Sequence, residues 1–169
     1  MTIKVIDNFL NDSYHKEILN LLNGPNFPWY YQDNLTYRNQ KNSLNDFGFS
    51  HVFLNKNGPK SSYYNLILPF ILKVKDEIKA KTIIRCRGDM TVLSIKKYIH
   101  QYHTDSSTPN IASVYYVNNS DGETIFKESK KSIKPKANRL IIFDGSILHT
   151  GCSPQKNKNR ILLNSNYLI

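Results

Sequence analysis

A chain of 169 residues, 40% of them hydrophobic, is long enough to close one domain around a real core, and its composition excludes a disordered or fibrous protein. Two cysteines, Cys86 and Cys152, exclude a disulfide framework and fit a reduced, cytoplasmic setting. The net charge of +10 keeps a nucleic-acid or acidic partner in view, but the basic residues are scattered, so a compositional origin is the better reading.

The N-terminus meets charge at Lys4, too early for the apolar stretch of a signal peptide. No apolar run reaches the length that crosses a bilayer. Residues 12–23 are expected to form a first helix, capped by Asp12 or Asn11, with Ile18, Leu19 and Leu22 on one face. Asn23-Gly24-Pro25 stops it. Residues 24–62 read as irregular, polar and aromatic, a texture often found in functional lids. Within them Phe27-Pro28-Trp29-Tyr30-Tyr31 either closes over a site or caps the core. A second helix is expected over 69–80, with Pro69 at its first position and Phe70, Ile71, Val74 and Ile78 as its apolar stripe.

From residue 83 the texture turns to strands. Runs at 91–95, 111–117, 124–126, 139–143, 147–150 and 160–167 are separated by turn chemistry such as Asn118-Asn119-Ser120-Asp121-Gly122. The reading is a single domain over 1–169, α+β and mainly β. Its first part, 1–82, is helical and looped, and its second, 83–169, is a double-sheet jelly roll.

His103-Thr104-Asp105 places two ligand-type side chains on one face of an extended segment, and His149 follows on another strand. Two histidines and one carboxylate form the facial triad of non-haem iron(II) sites and leave coordination positions open. His-x-Asp is a weak signal alone, and His15 and His51 have no such partners. His100 is a rival to His103, but three positions along a strand put the two on opposite faces. The segment 151–159 reads as a hairpin loop, which would set His149 and Arg160 on adjacent antiparallel strands. A guanidinium there suits a carboxylate held away from the metal.

Four pieces together resemble the catalytic core of the 2-oxoglutarate/iron(II) dioxygenases, in the prolyl-4-hydroxylase-like branch, and are similar to its short phage-encoded versions. They are His103-Thr104-Asp105, the stretches 114–119 and 121–126, the run from Asn138 through Asp144-Gly145 to His149, and Arg160 on the closing strand. An AT-rich genome of the phage kind would also account for the abundance of Lys, Asn, Ile and Tyr. The resemblance covers about residues 90–167. It implies iron(II) on His103, Asp105 and His149, with 2-oxoglutarate as co-substrate and ascorbate as an optional reductant. Arg160 would hold the distal carboxylate, where many prolyl hydroxylases use Lys. Tyr98 or Tyr115 would add a hydroxyl hydrogen bond, and Asn164 would line the same pocket. The implied activity is hydroxylation of a C–H bond on a peptidyl-proline or other protein side chain, yielding succinate and carbon dioxide, in the cytoplasm of a bacterial host if the chain is phage-encoded. A nucleic-acid oxygenase is the alternative, but enzymes of that type usually carry a second Arg six residues past the anchor, and Asn166 stands there. A non-catalytic jelly-roll module is the third reading.

Overall fold

The computed structural model of the chain describes residues 3–36, 46–105 and 108–169. Its elements in the first half are β1 (Lys4–Ile6), α1 (Asp12–Leu22), β2 (Tyr30–Gln32), β3 (Gly48–Asn55), β4 (Gly58–Pro59) and α2 (Tyr64–Glu77). Then come β5 (Thr82–Val92), β6 (Ile111–Tyr116), β7 (Thr124–Phe126), β8 (Ser132–Ile133), β9 (Arg139–Asp144), β10 (His149–Gly151) and β11 (Asn159–Leu168). Eight strands make one antiparallel sheet in the order β1-β9-β6-β11-β5-β3-β2, with β4 beside β3, and a smaller sheet runs β10-β7-β8. The strands drawn from the first 82 residues are woven into the same large sheet as the later ones: β1 pairs with β9, and β3 with β5.

Alternation along each strand gives the large sheet two different faces. Tyr115, Leu140, Leu163 and Tyr167 point outward and pack under the helices with Ile18, Leu22, Phe70 and Val74. Ala112, Val114, Tyr116, Ile141, Phe143 and Leu162 point inward and meet Phe126 and Ile133 of the smaller sheet. The jelly roll expected from the strand count is therefore the observed architecture. No helix among the described residues is long and apolar enough to cross a membrane.

Three details differ from the sequence reading. First, α2 begins at Tyr64, so Pro69 lies inside the helix rather than at its first position. Proline has no N–H to give residue 65 and crowds that carbonyl. The hydroxyl of Tyr14, reaching over from α1, accepts from the Phe70 N–H (3.0 Å) and donates to the Leu66 carbonyl (2.6 Å), tending the backbone groups around the break. Second, the stretch read as irregular holds the eight-residue strand β3. Its alternation was hidden because both faces are covered: Phe53 and His51 face the aromatic cluster under Phe27, while Ser50 is also buried. Third, β10 and β11 are not a hairpin. His149 sits in the small sheet against Phe126, and Arg160 in the large one against Thr91. The cap of α1 resolves to Asn11, whose Oδ1 accepts from the Tyr14 N–H at 2.9 Å.

The aromatic segment divides. Phe27 is buried, and Trp29 packs edge-on against it at 5.0 Å while donating from Nε1 to the Leu22 carbonyl. Tyr30 and Tyr31 are exposed on the edge strand β2.

Candidate active site

The ligand-type atoms of His103, Asp105 and His149 lie within 4.8 Å of one another. Main-chain bonds hold the two histidines opposite each other: each N–H donates to the other's carbonyl at 3.0 Å. Each ring is then fixed by its own strand. Nδ1 of His103 donates to the Gln101 carbonyl (3.1 Å) and Nδ1 of His149 to that of Ile147 (2.9 Å). Both Nε2 atoms are left with a bare lone pair, the form a metal binds. Asp105 Oδ2 stands 4.0 Å from His149 Nε2.

Electrostatics favour the same state. Burial, and secondarily the neighbouring His149, push His103 down to about 4, so its ring is neutral at pH 7. Burial works to raise the Asp105 carboxyl. His149, Arg85 and a hydrogen bond from Asn166 outweigh it and hold the group below the ordinary carboxylate range. Asn166 Nδ2 donates to Asp105 Oδ2 at 3.0 Å, and Arg85 Nη2 bonds Asn166 Oδ1 at 3.0 Å. The position where a second arginine was looked for is thus occupied by an amide that steadies the carboxylate. Two imidazoles and one carboxylate on a shared focus, with room beyond them, fit iron(II).

His103 and His149 open into a cavity between the sheets, bordered by the inner faces of β5 and β11. Arg160, 6% exposed, extends beneath the small sheet, and its Nη2 donates to Thr124 Oγ1 at 2.8 Å. The Tyr116 hydroxyl also donates to Thr124 Oγ1, at 2.6 Å, and the guanidinium lies 5.8 Å from the Tyr116 ring centre. Glycines make the space: a Cβ on Gly151 would stand 3.1 Å from Arg160 Nη1, and one on Gly122 would stand 3.0 Å from its Cδ. Arg160 Nε is buried with no partner among the described residues, which leaves a donor for a ligand carboxylate.

Asn164 lines the cavity, two turns of the pleat from Arg160. Tyr115 does not. Val114 faces inward, so its neighbour must face outward, and the Tyr115 hydroxyl bonds His15 Nδ1 (2.7 Å) and Asn138 (3.1 Å) beneath α1. Tyr98 is half-buried and stands edge-on to His100 at 5.1 Å, beside the lining rather than in it. His100 was placed on the face away from His103, but it lines the same cavity. Among the described residues, the segment 98–105 pairs only through single bridges at Ile99 and His103, so strict strand alternation does not govern it.

The sequence reading missed a polar, mostly charged row on β5, where Arg85, Arg87, Asp89 and Thr91 all point inward. Arg87 Nε lies 2.7 Å from Asp89 Oδ1, off the line of a hydrogen bond. It also missed Asp46, 1% exposed, whose Oδ1 is 2.6 Å from His100 Nδ1.

No protein-family profile and no curated protein matches the sequence. Solved structures do. An oxidoreductase of the 2OG-Fe(II) oxygenase family from Burkholderia pseudomallei superimposes with a TM-score of 0.72 at 12% identity, over 98% of this chain and 84% of that one. A prolyl hydroxylase from Trichoplax adhaerens, solved with a hypoxia inducible factor peptide fragment, gives 0.69 at 16% identity, over 98% and 83%. The viral collagen prolyl hydroxylase from Paramecium bursaria Chlorella virus-1, in its 2OG complex, gives 0.61 at 14% identity, over 100% and 97%. The chain has the jelly-roll fold shared by the 2-oxoglutarate/iron(II) oxygenases, prolyl hydroxylases among them.

Proposed function

We propose that the protein is a 2-oxoglutarate- and iron(II)-dependent oxygenase that hydroxylates a C–H bond in a protein or peptide side chain, peptidyl-proline being the substrate the resemblance implies. The observation that carries this reading is the pairing of the His103–Asp105–His149 focus with a buried Arg160 guanidinium whose Nε has no partner among the described residues, on one cavity lined by His103, His149 and Arg160. His103, Asp105 and His149 would hold iron. Arg160, seated on Gly151 and steadied by Thr124, would take the distal carboxylate of 2-oxoglutarate bidentately. When bound, the pair supplies oxygen activation coupled to release of succinate and carbon dioxide. The chain's own part is to fix ligand geometry, anchor the co-substrate and keep the reacting centre between two sheets, away from bulk water. Peptide as substrate class is supported by the peptide-bound neighbour from Trichoplax, whose fold this chain shares.

The test is succinate release from 2-oxoglutarate with iron(II), in the wild type and in His103→Ala, Asp105→Ala and His149→Ala. Each substitution should abolish iron-dependent turnover and leave the circular dichroism spectrum unchanged. Turnover that survives in His149→Ala and vanishes in His100→Ala would remove His149 from the metal set.

A further inference from the structure

The co-substrate placed in the cavity by the proposed function is a dianion. It accepts hydrogen bonds and donates none. It can accept from the buried donor Arg160 Nε and has nothing to donate to the cavity's buried acceptors.

Those acceptors are specific. His100 is 5% exposed and held on three sides. Its N–H donates to the Gly151 carbonyl (3.0 Å), its carbonyl accepts from Thr150 Oγ1 (2.8 Å), and its Nδ1 lies 2.6 Å from the Asp46 carboxylate. The Asp46 carboxylate accepts the Nδ1 N–H, which in the neutral ring leaves a lone pair on Nε2, and Nε2 is buried without a partner among the described residues. Asp89 Oδ1 is a second buried oxygen; Arg87 Nε pairs with it ionically at 2.7 Å but off the line of a hydrogen bond. His100 and Asp89 line the same cavity as His103 and His149. A hydroxyl at Thr91, two residues beyond Asp89, is buried and has no hydrogen-bond partner among the described residues. A fully satisfied resting network would not leave these atoms open.

We infer that His100, backed by Asp46, forms with Asp89 an acceptor wall that binds an N–H or O–H group on the substrate, so the residue oxidised is a donor-bearing polar side chain and not a proline ring. The inference rests on the oxygenase reading above and narrows its substrate. A peptidyl-proline ring carries no N–H or O–H and would leave His100 Nε2 unpaired and Asp89 with Arg87 alone, forfeiting about tenfold in affinity at His100. A lysyl ammonium, a seryl hydroxyl or a carboxamide would pair with them.

The experiment uses the full chain with iron(II), 2-oxoglutarate and randomised heptapeptide pools whose central residue is fixed as Lys, Ser, Asn, Gln, Pro or Leu. Three readouts are taken: the anaerobic charge-transfer absorption of 2-oxoglutarate chelated to iron(II), its perturbation by each pool, and gain of one oxygen atom at the central residue by tandem mass spectrometry. Donor-bearing pools should perturb the absorption and gain oxygen, while the Pro and Leu pools do neither. His100→Phe, which fills the space without an acceptor, should weaken binding of the preferred pool about tenfold or more. His100→Gln, whose amide oxygen can accept, should recover part of the loss. If the absorption forms but Pro or Leu is preferred, or no pool responds, this inference falls and the oxygenase reading stands. If the absorption never forms in the wild type, the oxygenase reading falls and takes the inference with it.

Discussion

Arg160 shows how much a single side chain depends on what its neighbours lack. Its guanidinium fits where it does because positions 122 and 151 carry no Cβ. Replacing Arg160 with Ala should weaken 2-oxoglutarate about tenfold or more, the loss of a charged hydrogen-bonding partner, and leave iron affinity nearly unchanged. Titrating each ligand separately checks this, and an unchanged 2-oxoglutarate titration would exclude Arg160 from the site. Residue-level legibility in the sequence was uneven. His103, Asp105 and His149 could be read because chain order and spacing suffice to bring ligand types together. The partners that hold their chemistry could not. Asn166 on Asp105 and Asp46 on His100 join residues 61 and 54 positions apart, and no local pattern encodes such a pair. Tyr115 was misassigned because an inward or outward side depends on strand phase, and Val114 takes the inward one.

At the scale of elements, the strands of the second half were legible where their outer and inner faces differ in polarity. β5 departs from that rule because its inward face borders a polar cavity. There Arg85, Arg87 and Asp89 point in and Cys86, Gly88 and Met90 point out toward the helices, so polarity runs opposite to the usual core-facing pattern. The aromatic segment ahead of β2 is also resolved by its packing. Trp29 contributes to the core beneath α1, and a Cβ on Gly88 would stand 3.3 Å from its ring. Trp29→Ala should therefore lower stability by about 3 kcal/mol, the low end for a large aromatic because it is only partly buried. Urea denaturation measures this, and an unchanged midpoint would restore the lid reading. The pairing of β1 with β9 has an ionic lock at one end. Asp7 bonds Arg139 Nε at 2.6 Å and Lys136 Nζ at 3.1 Å, and the Arg139 hydrogen bond, outweighing a small desolvation cost, lowers its pKa to about 2. A depressed carboxylate stabilises the fold above its unfolded pKa and loses that contribution as pH falls through the folded value. Asp7→Asn should thus be less stable than wild type at pH 7, by no more than about 1 kcal/mol because Asp7 is well exposed, and the gap should close between pH 4 and pH 2. A gap that persists at pH 2 would assign it to packing instead.

For the molecule as a whole, the net charge of +10 and the enclosed site make different claims about partners. A polyanion would be gripped by scattered lysines at the surface, and its binding would fall steeply with salt as counterions are released. A side chain recognised inside the cavity by buried acceptors would be screened far less. We expect substrate binding to change little between about 50 and 200 mM salt, and a steep decline with an oligonucleotide would favour the nucleic-acid alternative. Strand count and turn chemistry made the jelly roll legible. The weaving of β1 and β3 into the same sheet was not, because their partners lie far along the chain.

The reciprocal main-chain pair between His103 and His149 also governs how the protein should respond to chelation. The focus is assembled by peptide groups, so loading it requires little ordering of the chain and repays no folding debt. Zinc fingers behave in the opposite way and collapse when stripped. Here a chelator should leave secondary structure intact and lower the melting temperature only by the mass-action term for a ligand that binds the native state, an offset that grows with the logarithm of added metal. Calorimetry across a series of metal concentrations would trace that logarithm, whereas unfolding on chelation would show that the metal builds its own site.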